Sequence, residues 1–82
     1  MLIQIIGTGC EKCMKLEENA RQAVQEMHID ADVDKVGNLD EIVDMGVMTT
    51  PAFAIDGVVL SQGKVLSVDE IKEMLQAEED IS

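Results

Sequence analysis

Cys10 and Cys13, the only cysteines in the chain, stand three residues apart directly behind the apolar run Leu2-Ile3-Gln4-Ile5-Ile6. This arrangement asks for a strand, a break and a helix start in one short segment. The run reads as a central strand, because a near-continuous apolar sequence suits burial on both faces. Gly7-Thr8-Gly9 interrupts it, and Thr8 with Glu11 has capping-box spacing, so a helix is expected to open at Thr8 with Cys10 in its first turn. Residues i and i+3 share a helix face, so the two thiols can close a disulfide within one turn or clasp a soft metal ion. Either use is thiol chemistry.

The helix continues with an apolar stripe of Cys13, Leu16, Ala20, Ala23, Val24 and Met27, and Glu17, Glu18, Arg21, Gln22 and Gln25 lie opposite. Ala31–Val36 alternates apolar with polar, as a half-buried or edge strand does. Asn38 and Glu41 repeat the capping spacing and open a short helix through Leu39, Ile42, Val43 and Met45 that Gly46 terminates. Met48-Thr49-Thr50-Pro51 connects to two strands, Ala52–Ile55 and Val58–Ser61, joined by an Asp56-Gly57 turn that predicts a tight hairpin. Ser67 and Glu70 make a third capping box, ahead of a helix turning Val68, Ile71, Met74 and Leu75 inward, with a fraying acidic tail at Glu78-Glu79-Asp80. The order is β-α-β-α-β-β-α. A parallel crossover followed by an antiparallel hairpin gives an α/β fold, a four-stranded mixed sheet flanked by three helices.

The 82 residues are expected to form one domain, 1–82. With 46% hydrophobic residues, one Phe and 28% charged residues, the chain is globular with an aliphatic core. No run approaches the roughly 20 apolar residues of a membrane span. The sequence enters a strand at Leu2 with no basic region ahead of it, so no signal peptide is expected and the cytoplasm is the expected location. In a reducing compartment a CxxC pair is catalytic or metal-binding more often than a structural staple. The net charge of −11, from 17 acidic and 6 basic residues, argues against nucleic acid and membrane surfaces as partners. It serves solubility, and it would also steer the chain toward a basic protein surface.

The two cysteines are expected to divide the work. In the first helical turn Cys10 meets the positive end of the helix dipole, which favours its thiolate. Lys12 acts in the same direction and Glu11 against it, so both modulate the thiol. Cys13 heads the apolar stripe and is less exposed. Cys10 is therefore the nucleophile that attacks a partner disulfide, and Cys13 resolves the mixed disulfide. Gly7 and Gly9 leave room for a partner backbone to approach. His28 is expected to cap the first helix at the surface, and Met48, which could also line the site, is assigned to the core with Met45 and Met74.

A CxxC helix behind a strand, followed by Thr-Pro, a hairpin and a final helix, resembles the thioredoxin fold in its small glutaredoxin-like form. More narrowly, Ile5-Ile6-Gly7-Thr8-Gly9-Cys10-Glu11-Lys12-Cys13 and Thr50-Pro51-Ala52 are similar to small archaeal and bacterial thioredoxin-like, redox-active disulfide proteins. The resemblance covers essentially the whole chain. It implies a protein-disulfide oxidoreductase, with no cofactor beyond a Cys10–Cys13 disulfide. Its partners would be protein disulfide substrates and a thioredoxin-reductase-like electron donor, and the chain would be a monomer. It also implies that Pro51 is cis and packed beside the disulfide, and that Thr50 offers its backbone to an extended substrate. The chain departs from thioredoxins in having Gly9 before the first cysteine and Glu-Lys between the two, with no Trp. It also lacks the Gly-Gly-x-Asp signature of glutaredoxins, since only Gly63 and Asp69 stand in that region.

The same Gly7–Cys13 loop also resembles the Gly-Met-x-Cys-x-x-Cys loop of heavy-metal-associated copper chaperones, in which two thiolates hold Cu(I). Those domains run β-α-β-β-α-β and end in a strand, so the order of elements separates the two alternatives. Structural zinc would need four ligands, and two cysteines with one distant His fall short.

Overall fold

The computed structural model describes residues 1–8 and 11–81, with side chains through residue 77. Strand β1 (Leu2–Ile6) leads to helix α1 (Glu11–Met27), strand β2 (Asp32–Val36), helix α2 (Leu39–Asp44), the hairpin strands β3 (Ala52–Ile55) and β4 (Val58–Gln62), and helix α3 (Val68–Ile81). The strands form one mixed sheet in the order β2-β1-β3-β4. β1 is parallel to β2, with Ile5 beside Lys35, and antiparallel to β3, with Ile6 beside Ala52. The expected α/β architecture and element order hold. Gly9 and Cys10, which the sequence puts at the start of α1, lie outside the described residues.

The pleat sorts the core into two halves. Ile3, Ile5, Phe53 and Ile55 point to one face, where Leu16, Ala20 and Ala23 of α1 and Ile71 and Leu75 of α3 pack on them with Leu66. Ile6, Ala52 and Ala54 point to the other face and meet Val36, Ile42 and Val47. The first half is the larger because two long amphipathic helices cover it, whereas the second has only the six-residue α2.

Local sequence accounts for most element ends. The Ser67–Glu70 box closes reciprocally: Glu70 N donates to Ser67 Oγ at 3.2 Å, and Ser67 N donates to Glu70 Oε1 at 3.3 Å. At α2, Asn38 Oδ1 accepts from Asp40 N at 2.8 Å, and Gly46 ends the helix at φ +77. The hairpin turns through Asp56 and Gly57, both at positive φ, as a two-residue primed turn requires. Asp56 also ties the hairpin to β1, since Leu2 N donates to its Oδ1 at 2.8 Å. His28 ends α1 at the surface in the left-handed region, with its backbone N–H donating to Gln25 O at 3.3 Å. α3 extends through the acidic stretch where fraying is expected.

One side chain departs from the sequence reading. Met48, assigned to the core, is 92% exposed, and on α2 Leu39 and Val43 are 67% and 72% exposed. Ala52 and Ala54 offer α2 a narrow apolar floor. One buried side chain from α2, Ile42, with Val47 beyond it, fills the space. Met45 is half-buried against the same cluster.

Candidate functional site

The end of β1 and the first turn of α1 bring Gly7, Thr8 and Cys13 together. Cys13 is buried, at 5% exposure, because it heads the apolar stripe of α1. Its Sγ lies so near Gly7 that a Cβ there would overlap it. That same Cβ position is 3.3 Å from Cys13 Cβ and 3.7 Å from Thr50 Cβ. Gly7, Cys13 and Thr50 therefore converge although they come from three separate segments. Gly7 keeps its place through a hydrogen bond from its N–H to Val36 O at 2.9 Å, an extension of the β1–β2 ladder. Cys13 also sits in the first turn of α1, near the positive end of the helix dipole.

Thr50-Pro51 is a cis peptide bond, as the resemblance implies. Pro51 is buried at the entry to β3 and Thr50 is exposed before it. The loop they belong to is pinned from the neighbouring strand. Gln62 Oε1, at the end of β4, accepts from Met48 N at 2.9 Å and from Thr49 N at 3.4 Å, and Gly63 N donates to Pro51 O at 2.8 Å. Gly63 must be glycine there: its φ is +70, and a Cβ would come within 2.7 Å of Thr49 Cγ2. Sequence reasoning missed Gln62. Its only signal is a polar side chain ending the edge strand after Ser61, which also fits plain solvent exposure.

Beside Cys13 opens a pocket of about 210 Å³, lined by Ile5, Gly7, Thr8, Met14, Lys35 and Gly37 as well as Cys13. Lys35 reaches it from β2 because the parallel register sets it beside Ile5. Its ammonium pairs with Glu17 Oε1 at 3.5 Å, and Arg21 pairs with Glu17 Oε2 at 3.1 Å. Glu17, expected on the open face of α1, is thus largely covered. Glu11 and Lys12 are exposed in the first turn and line an open groove with Met14, Lys15, Glu18 and Val65. They face solvent near the site, while Gly9 and Cys10 lie outside the described residues.

A strand, a CxxC pair, and a second cysteine buried at the head of the next helix near a Thr-Pro loop define a thiol–disulfide oxidoreductase. The comparisons agree. The thioredoxin domain family profile matches residues 1–76. The chain is 47% identical over 75 residues to a thioredoxin of Methanothermobacter thermautotrophicus, covering 92% of this chain and 97% of that one. It is 46% identical over 77 residues to a thioredoxin of Methanocaldococcus jannaschii, covering 94% and 88%. The chain belongs to the thioredoxin family. Its activity is that of a protein-disulfide oxidoreductase, with a redox-active disulfide in place of a bound cofactor. The copper-chaperone alternative finds no support, because the last element is a helix and the family match spans nearly the whole chain.

Proposed function

We propose that Cys10 is the attacking thiol and Cys13 the resolving thiol in the reduction of disulfides in partner proteins. The observation that carries this reading is the burial of Cys13 beside Gly7, with Thr50 on the other side of that glycine's Cβ position, which keeps a bulky partner disulfide away from it. The Cys10 thiolate attacks one sulfur of the partner disulfide, forming a mixed disulfide and releasing the other sulfur as a thiolate that takes up a proton. The Cys13 thiolate then attacks Cys10 sulfur. The Cys10–Cys13 disulfide forms, the second partner thiol departs, and two electrons have passed to the partner. A dithiol donor of the thioredoxin-reductase type restores the pair.

Gly9 leaves space for the partner backbone, and Thr50, ahead of buried Pro51, offers its main chain to an extended segment by strand addition. Glu11 and Lys12 adjust the charge around the attacking thiol. The chain works as one domain and as a monomer in the cytoplasm. Consistent with this, no helix among the described residues is long and apolar enough to cross a membrane.

Alkylation kinetics of the reduced protein test the assignment. Cys10 should react with iodoacetamide well before Cys13, and a Cys13→Ser variant should accumulate mixed disulfides with protein substrates. Faster alkylation of Cys13 would invert the roles. Equal disulfide reduction by wild type and Cys10→Ser, with dithiothreitol as donor, would refute the mechanism.

A further inference from the structure

Residues 37–50 leave the site and return to it. Gly37 lines the pocket beside Cys13, and Thr50 Cβ is 3.7 Å from where a Gly7 Cβ would stand. Between these two anchors the chain exposes Leu39 at 67%, Val43 at 72% and Met48 at 92%. Leu39 and Val43 are four residues apart and so share one face of α2, while Ile42 turns to the sheet. Met48 follows the helix and is held in place by the hydrogen bond from its N–H to Gln62 Oε1. Isolated exposed apolar side chains are ordinary on a protein surface. Three on one short segment tethered to the reactive centre at both ends form a candidate contact surface.

The charge of the segment narrows what covers it. Asp40, Glu41 and Asp44 are exposed on α2, and residues 37–51 contain no Lys, Arg or His. Among the described residues the ion pairs engage Glu17, Glu26 and Glu70, leaving these three carboxylates outside them. A second copy of this chain brings another net charge of −11, and an anionic membrane also repels the face. An apolar patch edged with cations complements it. We propose that residues 39–48 form a docking face for protein substrates whose disulfide lies in an apolar surface rimmed by Lys and Arg. The proposal rests on the thiol–disulfide activity and names the class of substrate that activity selects.

Two synthetic peptides test it, each with the same intramolecular disulfide among Leu and Val residues, one flanked by Lys and Arg and the other by Asp and Glu. Neutral bis(hydroxyethyl) disulfide serves as a third substrate, with dithiothreitol as donor throughout. At low ionic strength the cationic peptide should be reduced about tenfold faster than the anionic one, and the gap should close near ~0.5 M salt. Neutralising the face (Asp40→Asn, Glu41→Gln, Asp44→Asn) should remove most of that preference. Neutralising three exposed carboxylates elsewhere (Asp30→Asn, Asp32→Asn, Glu73→Gln) makes the same charge change and should leave most of it. Leu39→Ser with Val43→Ser should slow both peptides severalfold and spare the small disulfide. These positions are exposed, so the variants should match wild type in thermal unfolding.

Equal loss from both triple variants would trace the preference to net charge and overturn the docking face. So would peptide rates indifferent to Leu39→Ser and Val43→Ser. A concentration-dependent dimer in sedimentation, abolished by Val43→Ser, would assign the face to self-association instead. Failure of wild type to reduce the neutral disulfide would sink the redox activity itself. Normal reduction of that disulfide with indistinguishable peptides overturns the docking face alone.

Discussion

Gly7→Ala tests whether the contact of Cys13 with the end of β1 governs both packing and resolution. Gly7 is not among the residues at positive φ, so alanine meets no backbone penalty there, and its N–H can still donate to Val36 O. The perturbation is steric. The new methyl would overlap Cys13 Sγ, with Cys13 Cβ at 3.3 Å and Thr50 Cβ at 3.7 Å closing the other sides. To restore an ordinary contact the sulfur must retreat by more than about 1 Å. Cys13 is buried, so that retreat displaces packed neighbours, and overpacking of this kind costs about 1–3 kcal/mol. For a domain of this size each kcal/mol lowers Tm by roughly 4–8 °C.

If about 1.4 kcal/mol of the strain is also felt when Cys13 attacks the mixed disulfide, resolution slows about tenfold. Urea unfolding of the reduced protein gives the first quantity, and single-turnover decay of a preformed mixed disulfide gives the second. Gly37→Ala is the control, since among the described residues the only neighbour its Cβ would meet is Gly7 O at 3.4 Å. Wild-type stability and resolution in Gly7→Ala would refute the reasoning, as would an equal loss in Gly37→Ala.

Gln62→Ala removes the acceptor shared by Met48 N and Thr49 N, and should cost about 0.5–1 kcal/mol while reducing turnover of protein disulfides more than of small ones. Gln62→Glu keeps an acceptor and should stay near wild type, so equal losses in both variants, read by unfolding and turnover, would contradict this role. Ser67→Ala should lower stability by about 1 kcal/mol in urea unfolding, because Glu70 N loses its cap. Glu70 is held below the usual carboxylate range, first by its hydrogen bond with Lys64 and then by Ser67 N–H. Its folded pKa is therefore the lower one. Its stabilising contribution is complete above the unfolded carboxylate range and is lost as pH falls through the folded value. Glu70→Gln should accordingly destabilise at pH 7 and match wild type in strong acid, and a difference that persists in acid would contradict the assignment.

Features governed by neighbours a few residues away could be read from the chain. The Ser67–Glu70 box, the left-handed Asp56-Gly57 turn, the glycine end of α2 and the buried stripe of α1 depend on helical period, capping geometry and backbone sterics. The CxxC spacing carried the chemistry for the same reason, since residues three apart are expected to share a helix face. The family resemblance added Thr50 and Pro51, which no local rule connects to the cysteines.

Tertiary structure decided the rest. Gly7, Cys13 and Thr50 meet only because β1 pairs with β3 and α1 packs on the sheet, and Gln62 reaches Met48 only through the β3–β4 register. The core assignment of Met48 failed, and Leu39 and Val43 stand exposed, for one physical reason. An apolar side chain is buried only where the fold leaves it a surface, and the small Ala52 and Ala54 floor leaves α2 room for little beyond Ile42. Hydrophobic pattern records what a side chain gains from burial, and the geometry of the neighbouring element determines whether there is a place to bury it.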